Sequence, residues 1–168
     1  MCCTVPDVPA TAYASAPTID KKAATKAEQD VIDKHAPVWY SRLHGYYGTT
    51  HEEAAEFCDA VGHKVLCPRS AYCPSDSSST GPDVLFLHKP SFAGEQWSPL
   101  AAESTSASDV WISVGTNTCS TYEELNGVDP GWGLDGSQPE LKENVLCCQS
   151  PKLLSKIERI KSELNPIW

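Results

Sequence analysis

The chain carries eight cysteines in 168 residues, and most of them fall between residues 58 and 148. Cysteine sulfur can form disulfides, bind metal ions or act as a nucleophile, so these residues are the first candidates for chemistry. With one methionine and a net charge of -9, the composition is typical of proteins from an oxidising compartment, where disulfides persist. We therefore predict disulfide bonds among Cys58, Cys67, Cys73, Cys119, Cys147 and Cys148.

Two other uses of these cysteines are weaker. His63, Cys67 and Cys73 could supply part of a zinc site, but the paired Cys-x-x-Cys knuckles of common zinc sites are absent from the sequence. Cys58 and His63 could form a nucleophile and its base, yet a cysteine on a helix face in a disulfide-rich domain is usually structural. We predict neither a metal site of this kind nor a thiol nucleophile.

The spacing of the cysteines limits how they can pair. Successive residues of a strand point to opposite faces of the sheet, so Cys147-Cys148 should have two different partners if it lies in a strand. Cys67 and Cys73 are close in sequence, which favours a short local bridge. Cys58 and Cys119 would then bond to the vicinal pair.

Clustered carboxylates could supply acid and base groups. Asp129, Asp135, Glu140 and Glu143 surround Gly131-Trp132-Gly133, and a glycosidase needs two carboxyl groups across the scissile bond. Carboxylates in loops are usually solvated, and nothing in the pattern implies a raised pKa for any of them. We therefore predict that the protein is not an enzyme.

Aromatic side chains could stack on sugar rings, or they could form the core of a small domain. Trp111 is predicted to lie in the core. The sequence leaves Trp97 and Trp132 between the two roles, so both are candidate ligand-binding residues.

One helix and several short strands would position these residues. Thr49 and Thr50 precede Glu52 and Glu53 at capping-box spacing, and Ala54, Phe57, Cys58 and Val61 form an inward stripe, which predicts a helix that Gly62 ends. Short apolar runs bounded by turn-forming residues predict strands at 64–67, 84–88, 110–114 and 144–148. The predicted fold class is α+β, a small disulfide-stabilised domain with one main helix packed on short antiparallel strands, long loops and flanking helical linkers.

The segments on either side of this domain, which spans residues 37–148, are predicted to be linkers. Residues 1–36 would hold the end of a preceding repeat, a Pro/Ala-rich stretch and a helix over 20–35, and residues 149–168 a second helix and the start of the next repeat. A lone helix of that length is marginal in water, so its apolar face should bind the same domain, the next one or a separate chain. This predicted interaction helix carries Leu153, Leu154, Ile157, Ile160 and Leu164.

Two short motifs occur twice in the chain. Cys2-Cys3 matches Cys147-Cys148, and Pro37-Val38-Trp39 matches Pro166-Ile167-Trp168, with segments of different length between them. Constant units joined by variable linkers are typical of tandem repeat proteins. Cys2 and Cys3 would then be the last strand of a preceding unit, and their disulfide partners would lie outside these residues or in another copy of the chain.

Charge and hydropathy exclude some partners. The acidic balance argues against nucleic acid and anionic membranes, because their attraction comes from clustered Lys and Arg. No stretch reaches the length of a transmembrane helix, and no secretory signal follows Met1, so a signal would lie upstream. Together with the cysteines, this predicts a secreted or cell-surface protein.

The domain also carries an ordered set of short motifs: Pro37-Val38-Trp39-Tyr40, Glu53-Ala54-Ala55-Glu56-Phe57-Cys58, Leu66-Cys67-Pro68, Ala71-Tyr72-Cys73-Pro74, Glu95-Gln96-Trp97-Ser98-Pro99, Val110-Trp111-Ile112, Gly131-Trp132-Gly133 and Leu146-Cys147-Cys148. As a set they resemble an uncharacterised cysteine-rich module that occurs in tandem in large predicted extracellular proteins of diatoms and related algae. The resemblance implies a secreted repeat module and brings no activity with it.

A more distant similarity is to the C-type-lectin-like fold. In that fold a cysteine of the opening helix is bonded to the closing strand, and a middle strand often reads Trp-Ile-Gly. The similarity implies that Cys58, Trp111-Ile112 and either Cys147 or Cys148 occupy those places.

The same similarity raises calcium as a hypothesis. Sugar-binding members of that fold bind calcium through a Glu-Pro-Asn or Gln-Pro-Asp loop and a later Trp-Asn-Asp. Gln138-Pro139-Glu140 resembles the loop, with Glu143 and Asn144 nearby, but no Trp-Asn-Asp follows. No cofactor is therefore predicted.

These observations favour a structural and interaction module of a secreted multi-repeat protein, which mediates self-assembly between neighbouring units. Its partners would be other copies or repeats of the same protein. The alternative is a glycan-binding, lectin-like module, whose candidate ligand residues are Trp97, Trp132, Gln138 and Glu140.

Overall fold

The computed structural model describes residues 26–73, 94–102, 110–115, 119–151 and 160. Several sequence predictions fall outside these residues: the linker over 1–25 with Cys2 and Cys3, the strand at 84–88, and most of the interaction helix. Of that helix the structure describes Pro151 and Ile160, and both are helical.

Short strands and helices alternate along the described residues. The strands are β1 Val38–Ser41, β2 Lys64–Leu66, β3 Trp97–Pro99, β4 Trp111–Ser113 and β5 Asn144–Gln149. The α-helices are α1 Lys26–His35, α2 His51–Ala60, α3 Arg69–Tyr72, α4 Tyr122–Asn126 and α5 Gly131–Asp135, and two 3₁₀ turns cover Arg42–His44 and Pro139–Leu141.

Strand β5 is the centre of a three-stranded antiparallel sheet in the order β1-β5-β2. Trp39 of β1 lies opposite Leu146, and Val65 of β2 lies opposite Cys148. Strands β3 and β4 form a separate antiparallel pair, in which Ser98 lies opposite Ile112. The closing strand of the domain is therefore fixed between its opening strand and the strand that follows α2.

Helix α2 is the helix that the capping-box spacing predicted, and Thr50, the second of the two threonines, is its N-cap. The Thr50 hydroxyl accepts a hydrogen bond from the Glu53 amide at 3.2 Å, and the Glu53 carboxylate accepts one from the Thr50 amide at 3.2 Å. This reciprocal capping satisfies two amides that the first helical turn leaves without partners. Ala54 and Cys58 lie on the buried face, which packs on β2 and β5.

The core lies on both faces of β5. Leu146 and Cys148 belong to a cluster that includes Trp39, whereas Val145 and Cys147 belong to a second cluster below α2. This division follows from the alternation of side chains along a strand. Because both faces are covered, β5 is apolar along nearly its whole length.

Three disulfides join the cysteines of the domain, and two of them leave opposite faces of β5. The prediction that Cys147-Cys148 has two partners is confirmed, but the expected bridge between Cys67 and Cys73 is wrong, as is a bond from Cys119 to the vicinal pair. Strand β2 brings the Cα of Cys67 to 4.9 Å from that of Cys148, while α3 leads Cys73 away toward Cys119. The pairs are Cys58–Cys147, Cys67–Cys148 and Cys73–Cys119.

The predicted fold class is confirmed, since the described residues form an α+β domain with short antiparallel strands and three disulfides. The strands expected near 64–67, 110–114 and 144–148 are β2, β4 and β5. Strands β1 and β3 and the short helices α3 to α5 were not predicted. None of the helices in the described part of the chain combines the length and apolarity that crossing a bilayer requires.

Candidate functional site: the aromatic cluster around Lys142

Lys142 is fully buried, although a lysine in a polar loop is usually solvated. Its Nζ donates hydrogen bonds to the carbonyl of Thr49 at 2.8 Å and to the carbonyl of Trp132 at 2.7 Å. The same atom lies 5.5 Å from the ring centroid of Trp111 and 5.2 Å from that of Trp132. Two carbonyl dipoles and two ring faces thus compensate the buried charge.

Burial also changes the ionisation of this lysine. Loss of hydration lowers the pKa of Lys142, while the carboxylates of Asp135, Glu140 and Glu53 act in the opposite direction. An amine acting as a nucleophile needs a free lone pair and an approach for its substrate. The Nζ of Lys142 is enclosed and donates to two carbonyls, so it serves here as a structural cation that joins the segment before α2 to the first turn of α5.

The rings around Lys142 form one packed cluster. The ring centroids of Trp111 and Trp132 are 5.1 Å apart, those of Trp97 and Trp132 6.2 Å apart, and those of Trp97 and Tyr122 5.0 Å apart. Trp97 is 3% exposed and Trp132 is 7% exposed. Both predicted ligand-binding tryptophans therefore lie in the core beside Trp111, and neither offers a ring face on which a sugar could stack.

The backbone of α5 at Gly133 packs closely against Trp111. A Cβ at Gly133 would lie 2.5 Å from Nε1 of Trp111. That Nε1 is buried and has no hydrogen-bond partner among the described residues. Glycine at 133 thus allows the helix backbone to cover the edge of the indole ring.

Gln138 and Glu140, the other two predicted ligand-binding residues, are exposed: Gln138 directly precedes the 3₁₀ turn after α5, and Glu140 lies in it. Gln96 holds the backbone of this turn through two hydrogen bonds. Its Nε2 donates to the Glu140 carbonyl at 2.6 Å, and its Oε1 accepts from the Glu143 amide at 3.4 Å. The backbone of the turn is therefore fixed, and the side chains of Gln138 and Glu140 lie at the surface, on the outside of the aromatic cluster.

The carboxylates suggested by the glycosidase pattern lie at the surface of the domain. Asp129, Asp135 and Glu140 are exposed, and Glu143 is half-buried and lies 3.7 Å from the Arg42 guanidinium. Hydrogen bonds from Ser137 lower the pKa of Asp135, which is the direction opposite to the one a general acid requires.

The sulfur atoms that the zinc and nucleophile patterns would use are bonded to other cysteines. Cys67 bonds to Cys148, Cys73 to Cys119 and Cys58 to Cys147. His63 is exposed and faces Asp59, whose Oδ1 is 3.4 Å from its Nδ1. Within the ranges that the structure describes, no three His, Cys, Asp or Glu side chains are placed to bind a metal ion together.

Several large apolar side chains remain on the surface. Leu43 in the first 3₁₀ turn is 87% exposed, and Tyr47, four residues later, is 68% exposed. The backbone between Tyr47 and α2 packs closely, since a Cβ at Gly48 would overlap the Lys142 carbonyl. Other exposed apolar residues are Leu125, Val128 and Leu134 on the α4–α5 side and Ile160 of the predicted interaction helix.

In a comparison with known protein families, the family Domain of unknown function (DUF7495) matches residues 38–150. The matched region begins at the first residue of β1 and ends just after β5, so it spans all the strands described above. No curated protein and no solved structure matches the chain.

Proposed function

The chain belongs to the family of Domain of unknown function (DUF7495), and we propose that it is a structural and interaction module of a secreted multi-repeat protein. In this proposal, copies of the module follow one another along a longer chain and contact each other through exposed apolar side chains. The module contributes shape and contact surface to an extracellular assembly.

The observation that carries this proposal is the position of the two repeated motifs in the fold. Pro37-Val38-Trp39 leads into β1, and Cys147-Cys148 lies in β5, where Val38 pairs with Cys147. The motifs that occur a second time in the sequence are therefore the opening and closing strands of one sheet. A tandem array would repeat these two strands in the same order, as Cys2-Cys3 and Pro166-Ile167-Trp168 do.

The disulfides support a secreted setting. Cys58, Cys67, Cys147 and Cys148 are each at most 1% exposed. Their two bonds start from opposite faces of β5, the central strand of the sheet. Disulfides of this kind persist in oxidising compartments and are rare in the cytosol. The resemblance to tandem extracellular modules of diatoms and related algae is in keeping with this setting.

Self-association of the chain tests the proposal. Light scattering coupled to size exclusion would follow the mass of the oxidised chain at rising concentration. The proposal expects the average mass to rise above that of the 18.2 kDa chain. A monomer at every concentration, with the linkers free of contact, would contradict it.

A glycan-binding, lectin-like module is the second candidate. Its support is the bond from Cys58 on α2 to Cys147 on the closing strand, with Trp111-Ile112 in a middle strand, which is the arrangement that the lectin-like similarity implies. Because Trp97 and Trp132 are buried, a sugar would have to bind through polar groups such as Gln138 and Glu140. A glycan array with and without a calcium chelator tests it, and absence of binding to every saccharide would remove this candidate.

A further inference from the structure

The Cys73–Cys119 disulfide differs from the other two in its exposure. Cys58, Cys67 and Cys147 are 0% exposed and Cys148 is 1% exposed, whereas Cys73 and Cys119 are half-buried at the margin of the core. Thiol–disulfide exchange needs a thiolate to reach a sulfur atom of the bond. The two disulfides of β5 can be approached only when the core opens. Cys73 and Cys119, in contrast, are partly exposed in the folded domain.

A non-covalent link runs in parallel with this disulfide. Arg69 on α3 donates from Nη1 to Oε1 of Glu124 at 2.6 Å and from Nη2 to Oε2 at 3.1 Å. The same Nη2 donates to the carbonyl of Cys119 at 2.6 Å. Arg69 therefore continues to join α3 to the start of α4 when the sulfur atoms separate, so that opening the bond is a local event.

The backbone at Cys119 favours opening of the bond. Its φ is +70°, in the left-handed region that residues with a Cβ rarely adopt. Three contacts hold Cys119 in this conformation: the disulfide, the hydrogen bond from Arg69, and the hydrogen bond from the Cys119 amide to the Ser113 carbonyl at 3.3 Å. Separating the sulfur atoms removes the covalent one of the three.

We propose that Cys73–Cys119 is an exchangeable disulfide, at which external thiols react with the folded domain while the two disulfides of β5 remain closed. An incoming thiolate bonds to one of the two sulfur atoms, the Cys73–Cys119 bond breaks, and the other sulfur leaves as a thiolate that takes up a proton. With a dithiol, the second thiol displaces the protein sulfur, so the dithiol is oxidised to its cyclic disulfide and both cysteines are reduced.

Stepwise reduction of the oxidised full chain tests this proposal. The chain is incubated with graded concentrations of dithiothreitol, quenched with acid, alkylated and digested, and mass spectrometry then locates the alkylated cysteines. We expect Cys73 and Cys119 to be alkylated at a reductant concentration at least about tenfold lower than the four cysteines bonded through β5. Near-ultraviolet circular dichroism of the tryptophan cluster should be unchanged at that concentration.

Two outcomes would overturn the proposal. One is opening of Cys58–Cys147 or Cys67–Cys148 at the same or a lower reductant concentration. The other is loss of the near-ultraviolet signal as soon as Cys73–Cys119 opens. Both measurements report on disulfides and tryptophans within a single chain. Neither result therefore depends on whether the module assembles with other copies.

Paired substitutions supply a second, independent measurement. The double variant Cys73→Ser and Cys119→Ser should fold and retain its tryptophan signal, because Arg69 still joins α3 to α4. Adding Arg69→Ala to that variant should lower its unfolding midpoint by more than the same substitution does in the oxidised parent. Equal effects in the two backgrounds would show that Arg69 does not replace the disulfide and would refute the local character of the opening.

Discussion

The side-chain nitrogen of Lys142 donates to the carbonyl of Thr49, 93 residues away in the sequence. With its second hydrogen bond, to Trp132, it joins the capping segment of α2 to α5 across the aromatic cluster. A buried cation of this kind is stable only while its carbonyl partners and ring faces surround it. The cluster and its charge therefore depend on one another, and each can be tested by substitution.

Replacing Lys142 with methionine should destabilise the domain. Methionine fills a similar volume, but the carbonyls of Thr49 and Trp132 lose their donor in a buried position. We expect a loss of about 2–4 kcal/mol in the free energy of unfolding, measured by urea denaturation with tryptophan fluorescence. Lys34→Met, on the exposed part of α1, removes the same charge and should change stability by less than about 0.5 kcal/mol. Equal losses in the two variants would show that charge alone, and not the buried bonds, matters.

Two glycines of the same short helix offer a matched pair. In Gly133→Ala the new methyl would lie 2.5 Å from Nε1 of Trp111, so α5 or the indole must move. We expect a loss of about 1–3 kcal/mol, the usual cost of overpacking. Gly131→Ala meets no atom within 4 Å and should be neutral or stabilise the domain by up to about 1 kcal/mol. Thermal unfolding of both variants measures the difference, and similar midpoints would contradict the close packing of Gly133 on Trp111.

Local signals in the sequence were sufficient to predict some elements. Helix α2 has both its capping residues and its apolar face within a dozen residues, and β5 is an apolar run bounded by polar residues. Helices α3, α4 and α5 have only four or five residues each, and such short helices depend on tertiary packing more than on their own sequence. Strand β3 ends in Pro99, a residue that usually argues against a strand.

The pairing of the cysteines and the burial of Lys142 required the three-dimensional arrangement. Sequence distance favoured a bond between Cys67 and Cys73, but pairing of β2 with β5 brings Cys67 beside Cys148 instead. Lysine is normally solvated, and only the carbonyls contributed by distant segments make its burial favourable. Contacts between residues far apart in sequence decide both features, and no local pattern reports them.

The ion pair between Arg69 and Glu124 should make stability depend on pH. Hydrogen bonds from Arg69, followed by those from Thr121, lower the pKa of Glu124 below its ordinary value of 4.5. The folded state therefore favours the ionised carboxylate, and this stabilisation is present above pH 4.5 and is lost as the pH falls through the lower folded pKa.

Glu124→Gln tests that dependence. The pair is partly exposed, so we expect the variant to be less stable than the parent by about 0.5–1 kcal/mol at neutral pH, and the difference to shrink below the folded pKa. Urea unfolding at neutral and acidic pH measures both values. Glu56→Gln on the exposed side of α2 is the control and should leave the pH dependence unchanged. A difference that stays constant over the whole range would show that Glu124 is not linked to folding through its charge.

In the proposed assembly, we expect Leu43 and Tyr47 to contact another copy of the module. Both side chains can be replaced without harm to the fold. Both side chains are largely exposed, so Leu43→Ser with Tyr47→Ser should change the free energy of unfolding by less than about 1 kcal/mol. Burial of a large apolar side chain contributes about 1.5–3 kcal/mol, and the double variant should therefore weaken self-association at least about tenfold.

Light scattering at matched concentrations measures this change. Val128→Ser with Leu134→Ser, two exposed apolar residues of the α4–α5 side, is the matched control and should leave association intact. If the control weakens association and the Leu43 and Tyr47 variant does not, the contact lies on the α4–α5 side. If neither variant changes the mass of an associating chain, both pairs of residues are excluded as the contact. The apolar face predicted for residues 153–164 is then the next surface to test by substitution.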